Sequence, residues 1–384
     1  MEKITFQCET ITPMFLAGAD GKTPELRPPS IKAAMRFWWR AMNGHLSLKD
    51  LKEKESEIFG GSGENEGRSK FSIRIKPIIE KEEDNLKVKL WDNKNNSVKS
   101  DFEGQGYLLY SKIMQKDNLP SYFSKTSFDV ILSSHDKKII SEAATTFYYL
   151  SVFGSLGSRS RRGAGNFLIK EINDPERLFK KFELPDNLKN KSGIEVYLKQ
   201  LLQDVNVKNN NNYNNNTFSN LTSASIFILD SQNSVEKCFE LFGKTYKNFR
   251  SRSEPDYSTV KEYLRNGNIS DNSTIEKAAM GLPINYRYRS LKGKSATIEG
   301  SVKKERERSA SPLIFKIFPI KNGSNFEYYP LVIYFIRELL PNSEKIKLKD
   351  TNKKGQKPKL LNVPSNKIIE DFLSQLPNAT EVTL

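Results

Sequence analysis

The segment GSLGSRSRRGAGNF, residues 154–167, holds four glycines, three arginines and three serines, and no acid. Glycine allows positive backbone angles and lets the main chain come close to a polyanion. Successive amides, serine hydroxyls and the guanidiniums of Arg159, Arg161 and Arg162 then converge on phosphates. The competing reading is a flexible connector, but a connector has no need of three arginines without one acid. The segment lies between a predicted helix and a predicted strand and is expected outside the core.

Residues 30–44 read SIKAAMRFWWRAMNG. Ile31, Ala34, Met35, Trp38, Ala41 and Met42 share one face at helical spacing. Lys32, Arg36 and Arg40 follow each other at i, i+4 and i+8 on an adjacent stripe, with Trp39 beside them. Such a stripe faces RNA phosphates with a ring available to stack, or its long basic side chains cover the edge of an amphipathic helix. The residues alone leave both readings open. The stretch 286–308 carries Arg287, Arg289, Lys292, Lys294, Lys303, Lys304, Arg306 and Arg308 against three glutamates, with Tyr286 and Tyr288 interleaved. It reads equally as a second RNA-facing segment or as a solvated loop.

Enzyme chemistry finds little support. The only histidines are His45 and His135 and the only cysteines are Cys8 and Cys238, which excludes an HExxH metalloenzyme, a Cys-only zinc site and a disulfide scaffold. Gly243-Lys244-Thr245 and Gly293-Lys294-Ser295 end like phosphate-binding loops, but Cys238 and Tyr288 stand where the earlier glycine is required. His135-Asp136 has no further histidine at hand to complete a metal site. His45 follows Gly44 at a helix end, where the dipole favours an imidazolium. Glu80, Glu82, Glu83 and Asp84 lack the glycine and spacing of a calcium loop. No metal or cofactor is expected.

The 384 residues allow two or three domains at ~150 residues each. Lysine and arginine outnumber aspartate and glutamate 61 to 46, a net charge of +15. That surplus favours a polyanionic partner, and nucleic acid is the usual one. No stretch approaches the ~20 apolar residues of a membrane span, and the N-terminus lacks a signal peptide's apolar core. A cytoplasmic protein without membrane contact is expected.

Around these residues the elements alternate. Residues 3–11 read as a strand with Ile4, Phe6 and Cys8 on one face. A helix follows from Ser30, an apparent N-cap, to about Gly44. Residues 70–79, 87–91 and 127–133 read as strands, 141–153 as a helix and 166–172 as a strand. Strand, helix, strands, helix, strand is the ferredoxin-like order shared by RNA-recognition domains. Residues 174–208 are charged and partly helical, and 206–216 hold eight Asn in eleven residues, a low-complexity loop. In the second half 221–230, 312–320 and 328–337 read as strands, 236–249 and 365–376 as helices, and 345–359, with seven lysines, as a solvated loop. The expected fold is α+β with two ferredoxin-like domains, the element order of the second being less clear. The division is 1–173, a linker or insert over 174–220, and 221–384.

Five segments carry a resemblance to one family. ITPMFLAGADGKTPELRPPSIKAAMRFWWRA (11–41) and EIFGG (57–61) resemble the N-terminal signature of a RAMP protein of the type III-B CRISPR effector, the Cmr complex. The likeness is to the family of its first-numbered subunit. Residues 154–167 resemble the glycine-rich loop of the RAMP superfamily, and AMGLPINY (279–286) and SPLIFKIFPI (311–320) resemble that subunit's C-terminal motifs. The resemblance implies two ferredoxin-like RAMP domains and a non-catalytic subunit in antiviral defence that holds the 3′ portion of the guide RNA and its target duplex. Partners would be guide RNA, target RNA and other RAMP subunits. Carried over, the RNA-facing residues are Arg27, Lys32, Arg36 and Arg40, then Arg159, Ser160, Arg161 and Arg162, with Gly157, Gly163 and Gly165 shaping the backbone. Ala164 departs from the larger apolar or aromatic residue common there, so the loop itself brings no stacking ring. RAMP relatives that process CRISPR precursor RNA as metal-independent endoribonucleases supply the rival reading, with His45 or His135 as general base or acid. Against it, their glycine-rich loop lies near the C-terminus, whereas over 200 residues follow it here.

Overall fold

The structure is a computed structural model. It describes residues 1–64, 66–79, 82–83, 86–113, 121–179, 188–206, 218–251, 254–270, 273–300, 307–323, 325–340, 344–353, 355 and 357–383. The chain order is β1 (Glu2–Thr10), α1 (Pro28–Met42), α2 (Leu48–Phe59), β2 (Phe71–Ile79), α3 (Leu86–Leu90), α4 (Glu103–Leu108), α5 (Tyr110–Ile113), β3 (Ser127–Ser134), α6 (Lys137–Phe153), β4 (Phe167–Asn173) and α7 (Lys191–Asn206). It continues with β5 (Ala224–Ile228), α8 (Val235–Ser251), α9 (Asp256–Asn266), β6 (Ile284–Tyr288), β7 (Lys294–Gly300), β8 (Leu313–Asn322), β9 (Asn325–Phe335), β10 (Ile346–Asp350), β11 (Lys359–Leu361), α10 (Lys367–Leu373) and β12 (Thr380–Val382).

The first sheet runs β2-β3-β1-β4, all antiparallel. With α1 between β1 and β2 and α6 between β3 and β4, this is the ferredoxin-like order. The second sheet runs β8-β9-β5-β12, again antiparallel, with α8 and α10 in the crossovers. The second half is therefore a full copy. Its order is hard to read in the sequence because two insertions split it. Those insertions meet in a third antiparallel sheet, β6-β7-β10-β11.

The two units share a core. One cluster joins Phe6 and Val130 of the first sheet, Trp38 of α1, Phe147 of α6 and Leu198 of α7 to Ile314, Leu331 and Phe335 of the second sheet. The helices of the first unit are thus layered between two sheets. This explains why twelve of the seventeen residues of α6 are buried, on every side of the helix. The other face of the second sheet packs Phe315 and Val332 against Phe239 and Phe242 of α8 and Phe372 of α10.

Several local expectations change. The N-cap of α1 is Arg27, not Ser30, because Pro28 enters at the first turn where its missing N–H costs nothing. Residues 86–90 form a helix and not a strand, since Leu86 and Leu90, both buried, lie one helical turn apart. The lysine-rich stretch after 345 is not a loop throughout. Ile346, Leu348 and Asp350 alternate inward in β10 while Lys347 and Lys349 alternate outward. Residues 286–300 are the β6–β7 hairpin with a short 3-10 turn, Arg289–Leu291. Residues 191–206, inside the linker read as partly helical, do form a helix, α7, and what changes is that it buries Ile194, Leu198 and Leu201. Most of the Asn-rich stretch, 207–216, lies outside the described residues, as do Lys303, Lys304 and Arg306. Among the described residues no helix is long and apolar enough to cross a membrane, and no group of three or more His, Cys, Asp or Glu side chains is placed to hold a metal.

Candidate functional site

The glycine-rich loop is built into the seam between the two units. Gly157 (φ +84°) lies so close to the main chain of Phe15 that a Cβ would sit 2.5 Å from the Phe15 carbonyl oxygen. Gly165 (φ +70°) is tighter still, with a Cβ falling 1.7 Å from the carbonyl of Leu156. Gly163 is also left-handed. At Gly157 and Gly165 no other residue type fits without moving the backbone. The loop then pairs with the edge of the second sheet. The Phe315 N–H donates to the Arg161 carbonyl at 3.3 Å, and the Ile317 N–H to Asn166 Oδ1 at 3.0 Å. Gly163, Ala164, Gly165 and Asn166 are buried. The expectation of a loop outside the core therefore fails: its polar backbone is paired to an open strand edge and not to water.

That placement separates the loop's arginines by task. Arg161 lies over the Phe37 ring, 5.0 Å from its centroid, and Nη1 donates to the Ser311 carbonyl at 2.8 Å. Burial, then Arg337 and Arg162, pull its guanidinium down to about 10. It is a structural tie, not a free RNA contact. Arg159 and Arg162 instead line a cleft of about 490 Å³, together with Tyr107, Leu108 and Tyr110, Tyr246 and Arg250, residues 280–283 and residues 309–311. The C-terminal motifs named above thus meet the glycine-rich loop here. Among the described residues no acid and no histidine lines this cleft.

Its electrostatics are those of an anion site. The Arg162 guanidinium stacks on Tyr246, 4.6 Å from the ring centroid, and Nη2 donates to the phenol oxygen at 2.9 Å. Arg250 covers the same ring at 5.5 Å. Burial pushes the Tyr246 phenol up, but Arg162 and Arg250 outweigh it and leave it below its ordinary value. Arg159 has a left-handed backbone, φ 63°, uncommon outside glycine. Burial and the neighbouring Arg162 hold its guanidinium below the usual range. Arg159 Nε and Arg162 Nη1 are buried without an acceptor among the described residues. Elsewhere basic groups do find acids: Lys247 pairs with Glu103 and Lys349 with Glu299.

The α1 stripe is differently employed. Arg36 and Arg40 both bind Glu55 Oε1, at 3.0 and 2.6 Å. Arg36 also donates to the carbonyls of Phe59 and Gly60, closing the C-terminus of α2. Trp39 is 1% exposed and its Nε1–H donates to Glu142 Oε1 at 2.7 Å. A ring so enclosed does not stack on a base, so the RNA-facing assignment of Trp39 is corrected. Arg36 and Arg40 thus share a single carboxylate at an inter-helix contact, closer to the second of the two readings of that stripe. Lys32 lies 5.3 Å from the Phe71 ring centroid, and Arg27 lies 3.8 Å from Glu25. Ser160 borders a smaller hollow with Trp38 and Arg161. Arg287, Arg289 and Lys294 are exposed on the β6–β7 hairpin and line no part of the cleft. Sequence reasoning passed over Tyr246 and Arg250. Their spacing, i and i+4 on α8, was the available signal.

The first sheet also has an outer face, turned away from its buried core. Lys3, Thr5 and Gln7 of β1 and Asp129 and Ile131 of β3 point out, without an aromatic ring among them. The stacking platform by which RNA-recognition domains hold bases is not on this face.

Residues 7–168 match the RAMP superfamily. Over 267 residues the chain is 28% identical to the CRISPR system Cmr subunit Cmr1-1 of Pyrococcus furiosus, covering 66% of this chain and 74% of that protein. It is 29% identical over 191 residues to Cmr1-2 of the same organism, covering 45% of this chain and 98% of that protein. The fold is similar along the whole chain to the crystal structure of apo Cmr1 from Pyrococcus furiosus, with a TM-score of 0.60 at 22% identity and 99% of that chain covered. It is also similar to a chain in the cryo-EM structure of the type III-B Cmr-beta complex bound to cognate target RNA, with a TM-score of 0.55 at 13% identity, covering 98% of this chain and 99% of that one.

Proposed function

We propose that this chain, a RAMP protein of the Cmr1 kind, is an RNA-binding subunit of a type III-B CRISPR effector complex, working in the cytoplasm without catalytic activity of its own. Its partners are guide RNA, target RNA and neighbouring RAMP subunits, and it holds the 3′ portion of the guide and its duplex with target. One observation carries the reading: Arg159, Arg162 and Arg250 converge on one cleft that no acid among the described residues lines. Buried cations persist where something pays for their desolvation, and a phosphate does so with charge-assisted hydrogen bonds. The type III-B Cmr-beta complex, one chain of which has a similar fold, is bound to target RNA, and this supplies the chemical class. Units 1–173 and 221–384, joined by 174–220 with its α7, are part of the same proposal. Arg287, Arg289 and Lys294 are candidates for a secondary, outer contact.

The test is a binding titration of the full chain with single-stranded RNA at several salt concentrations. Each phosphate neutralised contributes about −0.7 to the log–log slope. Arg159→Gln combined with Arg250→Gln should flatten the slope by about 1.4, twice that increment. The same preparations should leave guide and target RNA uncut with and without magnesium. A double variant that keeps the wild-type slope and affinity sinks the cleft as a phosphate site. Cleavage lost on His45→Ala or His135→Ala returns the endonuclease reading.

A further inference from the structure

We propose that the Arg159–Arg162–Arg250 cleft takes the terminal phosphomonoester of an RNA strand, with the end nucleotide's base against Tyr110. The inference rests on the RNA-binding reading and adds which part of the strand enters the cleft. Charge is the first argument. An internal phosphodiester brings one negative charge, whereas a terminal phosphomonoester brings about −1.5 to −2 near neutral pH and three strong acceptor oxygens. Three guanidiniums around one space match the second.

Donor count is the next. Arg162 spends Nη2 on Tyr246 and keeps a buried Nη1 without an acceptor, and Arg159 keeps a buried Nε in the same state. Two donors without an acceptor, on two residues that line the same cleft, suit an oxyanion group with several oxygens. Mutual repulsion also matters, because Arg162 helps to depress Arg159 in the cleft as it stands, and a dianion between them reverses that effect.

Shape is the third. Five chain segments line the cleft, and its volume of about 490 Å³ falls in the ~300–1,000 Å³ range of pockets that enclose one small ligand. Tyr110, 51% exposed, lies at the rim and offers a ring face to the first base. Arg161 and Arg337 hold the 309–311 segment of the lining through the carbonyls of Ser311 and Ala310.

The experiment uses the full chain and one short RNA sequence prepared with a 5′-phosphate, with a 3′-phosphate, with hydroxyls at both ends, and circularised. One phosphorylated form should bind about tenfold tighter than the hydroxyl-ended form, the weight of one charge-assisted hydrogen bond. Which end it is identifies the strand terminus. The advantage should shrink as pH falls below about 6, where the phosphomonoester becomes a monoanion. Arg159→Gln and Arg250→Gln should each remove it, with thermal melts establishing that the variants fold. Equal affinity for phosphorylated, hydroxyl-ended and circular RNA overturns the proposal and leaves the RNA-binding reading standing. Failure to bind any of the four overturns both. An end preference that survives in both folded variants also overturns it, since another site then reads the end.

Discussion

Lys316 is the most deeply placed cation among the described residues, 1% exposed in β8. Its Nζ donates to the carbonyls of Ser151 at 2.7 Å and Gly154 at 2.6 Å, which terminate α6. The negative end of that helix dipole receives it, but no carboxylate among the described residues does. Burial pulls the ammonium down to about 7. The sign of the linkage follows. An unfolded lysine keeps its proton to about 10.4, so between about 7 and 10.4 the unfolded chain binds more protons, and stability rises with pH across that window. Thermal melts from pH 7 to 10 should show wild type gaining on Lys316→Met, which lacks the titrating group. Parallel profiles would refute the assignment. At this scale the sequence is a partial guide. Arg159 and Arg162 stood out because no acid shares their segment, whereas Lys316 is one lysine in an Ile/Phe-rich strand. Its burial depends on the end of a helix 162 residues away in the chain.

At the scale of elements, α1 shows how a correct pattern gives a wrong face. Trp38 packs against Phe153 and Phe335, each with ring centroids 6.0 Å away, as an apolar stripe requires. Trp39 sits nearly a third of a turn further round and is buried as well, against Phe59 of α2 at 6.3 Å. The helix is enclosed by α2, α6 and the second sheet, and a wheel that assumes one partner leaves out the other two. Trp39→Ala should therefore destabilise by ~3–5 kcal/mol, as Trp38→Ala does. Trp39→Phe keeps most of the packing and loses the bond to Glu142, about 1 kcal/mol. Denaturant titrations measure both. RNA affinity of the folded Trp39→Phe variant should match wild type, and a large loss there would restore the ring to the interface. The ferredoxin-like order of the first half was legible because strand period and helix period alternate cleanly there. In the second half the strands of the third sheet interrupt that order, and their pairing depends on β7 meeting β10 across the whole of β8 and β9.

On the scale of the whole molecule the loop decides how the two units behave. Asn166 is fully buried at the seam. Its Nδ2 donates to the Gly163 carbonyl at 2.7 Å, its Oδ1 accepts from Ile317 N–H of the second sheet at 3.0 Å, and its backbone N–H donates to Thr12 Oγ1 at 2.8 Å. One side chain therefore closes the glycine-rich turn and joins it to the other unit. Around it the apolar cluster runs from the first sheet through α1 and α6 to the second without a break. A boundary with that much shared apolar contact does not melt separately from its neighbours, so heating should give one cooperative transition. Asn166→Ala leaves a buried donor and a buried acceptor unpaired, at about 1–3 kcal/mol each. The transition should stay single but move to lower temperature, and the loop, released from Ile317, should hold Arg159 and Arg162 less firmly and weaken RNA binding. Calorimetry and the RNA titration on the same variant check both halves. Two resolved transitions in wild type would show that the units are independent bodies. An Asn166→Ala variant that is destabilised yet binds RNA as wild type would show that the cleft does not depend on the seam.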